Sequence, residues 1–222
     1  MLKRELHKTA DGSYTLRIEE WDENYHSGHG ALQEARHVFI DHGLKSMGEG
    51  PLKIFEMGFG TGLNALLTMN ESIQNNTKIS YSGIEAYPVD IEMIEKMNYA
   101  SIAEGGFEDI FLKMHRCTWG QEIQLTPDFT FEKIHAKIED FQPESNQFDL
   151  VYFDAFGPRA QGEMWDIEIL SKMHQLLKVG GVLVTYCAKG QFKRDLKSLG
   201  FEVQSLPGPP GKREMTRAIK IS

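Results

Sequence analysis

A chain of 222 residues with 41% hydrophobic content is long enough to bury one substantial core and too short for two, so a single domain over residues 1–222 is expected. No run approaches the ~20 apolar residues of a membrane-spanning helix, the opening MLKRELHKTADGS has no apolar signal core behind its basic residues, and Cys117 and Cys187 lie outside any C-x-x-C; membrane, secreted and cysteine-zinc classes are set aside and the cytoplasm is expected. The net charge of −8 argues against indiscriminate nucleic-acid binding, yet from Cys187 to Ser222 eight Lys and Arg face three Asp and Glu, leaving one basic end on an acidic protein.

In chain order, Leu6 to Ile18 reads as a hairpin, two alternating runs around Asp11-Gly12. The polar stretch WDENYHSGHG follows; His26 and His29 within it resemble a ligand pair, but no further ligand stands at metal spacing, and a polar loop is the better reading. Ala31 to His42 carries apolar residues at helical spacing and stops at Gly43. Residues 1–50 thus form an N-terminal addition, and an alternating αβ core occupies 51–222. Its elements are expected as a strand Leu52–Met57, a helix from about Leu63 to Ile73, a strand Ile79–Ile84, a helix from Pro88 to Met97, a helix near Glu108–His115, strands Phe129–Ile138 and Phe148–Phe153, a helix Trp165–Leu177 closed by Gly180-Gly181, and a strand Val182–Cys187. A helix Gln191–Leu199 and strands Phe201–Ser205 and Met215–Ile221 complete it. Such alternation implies an α/β fold, a mostly parallel Rossmann-like sheet with helices on both faces.

The run LKIFEMGFGTGLN over residues 52–64 carries the chemistry. An apolar strand leads to Glu56 and then to Gly58, Gly60 and Gly62 on alternate positions, with Phe59 between the first two. Glycines at a strand-to-helix turn allow a sharp bend and close approach of a ligand to the backbone. The dinucleotide fingerprint G-x-G-x-x-G would need its third glycine at 63, where Leu63 stands. The acidic-x-G-x-G-x-G spacing instead resembles that of S-adenosylmethionine-dependent methyltransferases of the Rossmann-like type. Glu85 closes the next strand, where a carboxylate can accept both hydroxyl hydrogens of a ribose; Glu139-Asp140 and Asp154 close the two after it. Carboxylates spread over four strands suit cofactor recognition better than Mg²⁺, so no metal is expected. Asp154 opens DAFGP after an apolar strand, a setting in which a carboxylate can hold an amine and receive its proton.

Four separated motifs agree in order with one family. YHSGHGALQEARHVFI, FEMGFGTGLNALL, FDLVYFDAFGP followed by Met164-Trp165, and GPPGKREM resemble the methyltransferase module of MnmC, the bifunctional tRNA wobble-uridine modification enzyme, over nearly the whole chain. The resemblance implies methyl transfer from S-adenosylmethionine to the exocyclic amine of 5-aminomethyl-2-thiouridine at the tRNA wobble position. It implies Asp154 as the active-site aspartate; Glu56, Gly58, Phe59, Gly60, Gly62, Glu85 and Glu139 or Asp140 as cofactor contacts; and Phe156, Trp165, Lys212 and Arg213 as substrate contacts. The fused enzyme has an FAD-dependent oxidase half that makes the amine. This chain reads as a stand-alone form without it, so the aminomethyl intermediate is expected from another protein. The short stretch between Asp140 and Asp149 leaves open which of Glu139 and Asp140 faces the adenine. Two other readings are a methyltransferase of a small amine, suggested by the net charge, and a non-catalytic cofactor-binding module, against which the intact Asp154 argues.

Overall fold

The computed structural model describes residues 2–103, 105–142 and 144–222. Strands β1 (Arg4–Lys8), β2 (Tyr14–Ile18) and β3 (Glu23–Asn24) form a small antiparallel sheet. Helix α1 (Ala31–Ala35) runs directly into a π-helical turn, Arg36–Asp41. The core then proceeds through β4 (Leu52–Met57), α2 (Leu63–Asn75), β5 (Ile79–Glu85), the single turns α3 (Ile91–Ile94) and α4 (Tyr99–Ile102), α5 (Glu108–Arg116), β6 (Ile123–Thr126), β7 (Phe129–His135), β8 (Phe148–Phe153), α6 (Ile167–Leu176), β9 (Leu177–Thr185), α7 (Gly190–Ser198), β10 (Phe201–Pro207) and β11 (Glu214–Lys220).

Eight of these strands make one sheet in the order β10-β11-β9-β8-β4-β5-β7-β6. The five from β9 to β7 run parallel, and β6, β10 and β11 are antiparallel at the edges. The sequence of the central strands shows why. In β8 the residues alternate between two covered faces, Leu150 and Tyr152 against the side holding α1, α2 and α5, Val151 and Phe153 against the side holding α6 and α7. With both faces dry, the strand reads as a continuous apolar run. The chain leaves β4 for β5 on one side and returns to β8 on the other, which opens a crevice at the carboxyl ends of these strands.

The structure departs from expectation at four places. The helix expected from Pro88 to Met97 shrinks to Ile91–Ile94, because Arg4 draws the carbonyls of Tyr87 and Pro88 into hydrogen bonds and Asp90 is extended at φ −62, ψ 140. Strand β9 starts at Leu177, with Gly180 at φ +82 absorbing a register shift against β8. Strand β6, where no element was expected, pairs with β7. Strand β7 ends at His135, so Glu139 and Asp140 sit in a turn beyond it.

Candidate active site

The first crossover, between β4 and α2, shapes the crevice. Gly58 holds φ +91, and a Cβ there would lie 2.5 Å from the Asp154 carbonyl oxygen. This lets the loop press against β8 while the Gly58 and Phe59 amides donate to Ile84 O at 3.1 and 3.0 Å. Gly60 holds φ +51 under the Tyr25 ring, 3.2 Å from where a Cβ would stand, and its amide donates to Glu85 Oε2 at 2.9 Å. The other oxygen of Glu85 accepts from the Tyr87 amide at 2.7 Å. One carboxylate therefore ties the ends of two parallel strands together.

The loop borders a cavity of about 390 Å³, within the usual range for small-molecule sites. Asp154 enters it from the end of β8 and Glu85 from the end of β5; Glu139 lines it from the turn after β7. Trp21 and Tyr25 of the N-terminal addition pack edge-on to Phe156, with ring centroids 5.3 and 4.8 Å apart, at the same wall. Seven carboxylates line the cavity against two lysines, Lys137 and Lys212, so it favours a cationic occupant.

Asn64, in the first turn of α2, organises the acidic centre. Its Nδ2 donates one hydrogen to Glu56 Oε1 and the other to Asp154 Oδ2, both at 2.8 Å. Glu56 is 1% exposed, and its Oε2 and the Tyr81 hydroxyl have no hydrogen-bond partner among the described residues. Burial first, then the neighbouring Asp154 charge, pushes the Glu56 carboxyl well above the carboxylate range. Burial likewise raises Asp154 to about 7, the Asn64 hydrogen bond opposing the shift. Two nearby carboxyls are thus both shifted toward the protonated form, Glu56 by deep burial, and Asp154 to where it can exchange a proton at neutral pH.

A second pair at the cavity joins the buried Glu34 to the half-buried Lys212. Glu34 Oε2 accepts from Lys212 Nζ at 2.5 Å, Glu34 Oε1 accepts from the Ser27 amide at 3.1 Å, and the Lys212 ammonium lies 3.8 Å from the Tyr186 ring centroid. Tyr186 in turn donates to Ala155 O at 2.7 Å, which links this cluster to the loop after Asp154.

Of the residues expected at the site, Asp154, Gly58, Phe59, Gly60, Glu85, Glu139, Phe156 and Lys212 line one cavity. The others are placed differently. Glu56 lies behind the glycine loop as an anchor for Asn64, not at the cavity wall. Gly62 is also off the wall: it caps α2 at φ +74, and a Cβ would lie 2.7 Å from His115 Nε2, so packing demands the glycine. Burial drives His115 down to about 3; the neutral ring lies 3.2 Å from Thr61 O, to which it can donate. The Phe59 ring packs on Phe131 and His115, and the residue is 3% exposed. Asp140 is not at the wall. Trp165 stands outside it too, and its indole donates to Phe156 O at 2.8 Å, bracing that loop from behind. Arg213 is exposed to solvent while its neighbour Lys212 turns inward.

His26 and His29 are separated: His26 is half-buried against Thr15 and lowered to about 4 by its desolvation, and His29 packs on Gly211. Among the described residues no three His, Cys, Asp or Glu gather as metal ligands. Sequence reasoning missed Asn64 and Glu34. Each left a trace, Asn64 as the one polar residue in LNALL, and Glu34 as a charge on the stripe of Ala31, Ala35 and Val38.

Residues 98–221 match a family model described as S-adenosyl-L-methionine-dependent methyltransferase. The chain belongs to that family. Its curated relatives include the tRNA 5-methylaminomethyl-2-thiouridine biosynthesis bifunctional proteins MnmC of Cupriavidus metallidurans, 28% identical across 89% of this chain and 31% of that one, and of Cupriavidus necator, 30% identical across 89% and 32%. The chain spans about a third of the length of the curated relatives it matches. A crystal structure of MNMC2 from Aquifex aeolicus superposes with a TM-score of 0.79 at 22% identity, covering 99% of this chain and 71% of that one, which shows the same fold.

The methyltransferase has a site that fits its cofactor. The Gly60 backbone has no Cβ to narrow the wall, Glu85 offers a carboxylate at the strand end, and the excess of carboxylates suits a sulfonium cation. Among the described residues no helix is long and apolar enough to cross a membrane.

Proposed function

We propose that the methyltransferase converts 5-aminomethyl-2-thiouridine at the wobble position of tRNA into the methylaminomethyl nucleoside. The observation that carries this reading is Asp154, held near neutrality at the end of β8 in a carboxylate-lined cavity beside the glycine loop. The names of the relatives supply the nucleoside; the acidic lining favours an amine over an anionic acceptor.

Bound S-adenosylmethionine supplies an electrophilic methyl group on a sulfonium. Glu85 would hold the ribose hydroxyls, the Gly58–Gly60 backbone would let the cofactor lie close, and Glu139, which lines the cavity where Asp140 does not, would be the acidic residue available to the base. An aliphatic amine reaches the site as its ammonium. The Asp154 carboxylate accepts one proton from it, which frees the nitrogen lone pair for in-line attack. Transfer of the methyl group to that nitrogen would release the secondary amine as a cation and the cofactor as its neutral thioether, and Asp154 would then return its proton to solvent. Asn64 holds the carboxylate in place, while Tyr25 and Phe156 keep water from the reacting atoms.

In this reading the anticodon region of tRNA is the partner, a separate enzyme supplies the aminomethyl group, and the cytoplasm is the setting. Nucleoside mass spectrometry of tRNA from a strain lacking the protein tests it. Accumulation of the aminomethyl nucleoside and loss of the methylaminomethyl form are expected; an unaltered nucleoside profile would count against the assignment.

A further inference from the structure

The turn after β7 brings Ala136, Lys137, Ile138 and Glu139 to the cavity, and little of its own bonding fixes its shape. Within it, the Asp140 and Phe141 amides both donate to Lys137 O, at 3.2 and 3.1 Å. Among the described residues, the carbonyls of Ile138, Glu139 and Phe141 receive no backbone N–H. All three converge on one ammonium. Lys172 Nζ donates to Ile138 O at 2.9 Å, to Phe141 O at 3.0 Å and to Glu139 O, which uses every hydrogen the ammonium has.

The stem of that ammonium is rigidly placed. Lys172 sits on α6, whose Ile169, Leu170, Met173 and Leu176 are buried against the sheet. Phe141 stacks on Phe55 of β4 with centroids 5.7 Å apart, fixing the far end of the turn. Between these supports the backbone that forms the cavity wall depends on one cation bound to three dipoles, as lysines do at helix C-termini.

We propose that Lys172 is a positioning residue for S-adenosylmethionine, presetting the 136–141 turn in the shape that receives the cofactor. It touches neither the cofactor nor the substrate. Its effect is on the fraction of molecules whose turn is already competent, and apparent affinity scales with that fraction.

The test uses the full chain and S-adenosylhomocysteine as the probe, with Lys172→Met removing the three donors at similar length and Lys172→Arg retaining donors in a different geometry. If the competent turn falls to about a tenth of molecules, calorimetry shows a dissociation constant about tenfold higher for Lys172→Met, with a smaller rise for Lys172→Arg. Amide exchange accelerates over residues 136–141, and kcat at saturating S-adenosylmethionine stays within about twofold of wild type. A role confined to stability would lower Tm and leave the dissociation constant alone. Folded Lys172→Met with wild-type affinity overturns the proposal; should that variant not fold, Lys172→Arg with faster exchange but unchanged affinity overturns it equally.

Discussion

Replacing Asp154 by asparagine should stabilise the protein while disabling it, and the gain should depend on pH. Burial raises the Asp154 carboxyl from an ordinary 3.8 to about 7 in the folded chain. Between those values the folded state binds the proton more tightly than the unfolded one, so stability is fully present below about 3.8 and is lost as pH rises through about 7. Three pKa units at about 1.36 kcal/mol each set a ceiling near 4 kcal/mol. Solvent in the cavity screens the carboxylate, which reduces the expected cost to about 1–2 kcal/mol. The asparagine of the variant keeps the size of the side chain and an oxygen that can accept from Asn64, but never ionises. Glu56 also has a raised pKa and contributes a slope of the same sign to both proteins, so the informative quantity is the difference between them. Urea denaturation from about pH 4 to pH 9 should show the variant gaining about 1–2 kcal/mol on wild type across that range, nearly all of it below pH 8. A difference that stays flat with pH would refute the burial argument, and with it the proton-accepting role.

Methyl transfer by Asp154→Asn should fall by about 10²–10⁴ with cofactor affinity nearly kept, as single-turnover assays can show. In the wild type kcat/KM should drop about tenfold per pH unit below about 7, because the carboxylate form is the one that accepts the proton; a rate level down to pH 5 would contradict this. Gly60→Val should abolish S-adenosylhomocysteine binding in calorimetry, since φ +51 and the Tyr25 ring at 3.2 Å leave no room for a branched side chain. Lys212→Met should cost about 2–3 kcal/mol in denaturation by stranding the buried Glu34 carboxylate, whereas Arg213→Ala should leave stability alone and lower the salt slope of tRNA binding by about one.

The part of the fold legible in the sequence is the part set by one repeating rule. Strands buried on both faces must be apolar throughout, so FDLVYF and LKIFEM declare themselves, and the glycine run marks the turn between a strand and the helix over it. What escaped notice depends on contacts across the chain. The helix after Pro88 is cut short by Arg4, more than eighty residues earlier, and β6 exists only because β7 offers it an edge. The site divides in the same way. Asp154, Glu85, Gly58 and Gly60 follow from their places at strand ends. Gly62 and Glu56 share the motif's spacing with them, yet one answers to His115 and the other to Asn64, partners that spacing cannot reveal. The resemblance likewise pairs Lys212 and Arg213 as substrate contacts, but the structure turns Lys212 toward the buried Glu34 and leaves Arg213 to the solvent.

Methyl transfer to a single nitrogen on tRNA can be followed in vitro. The purified protein is incubated with tRNA bearing 5-aminomethyl-2-thiouridine and with S-adenosylmethionine carrying a deuterated methyl group, and the digested nucleosides are weighed by mass spectrometry. One labelled methyl on the wobble nucleoside is expected in wild type and almost none with Asp154→Asn. Protein that binds S-adenosylhomocysteine yet leaves this tRNA unlabelled would contradict the proposed reaction, and would place the acceptor among small amines instead.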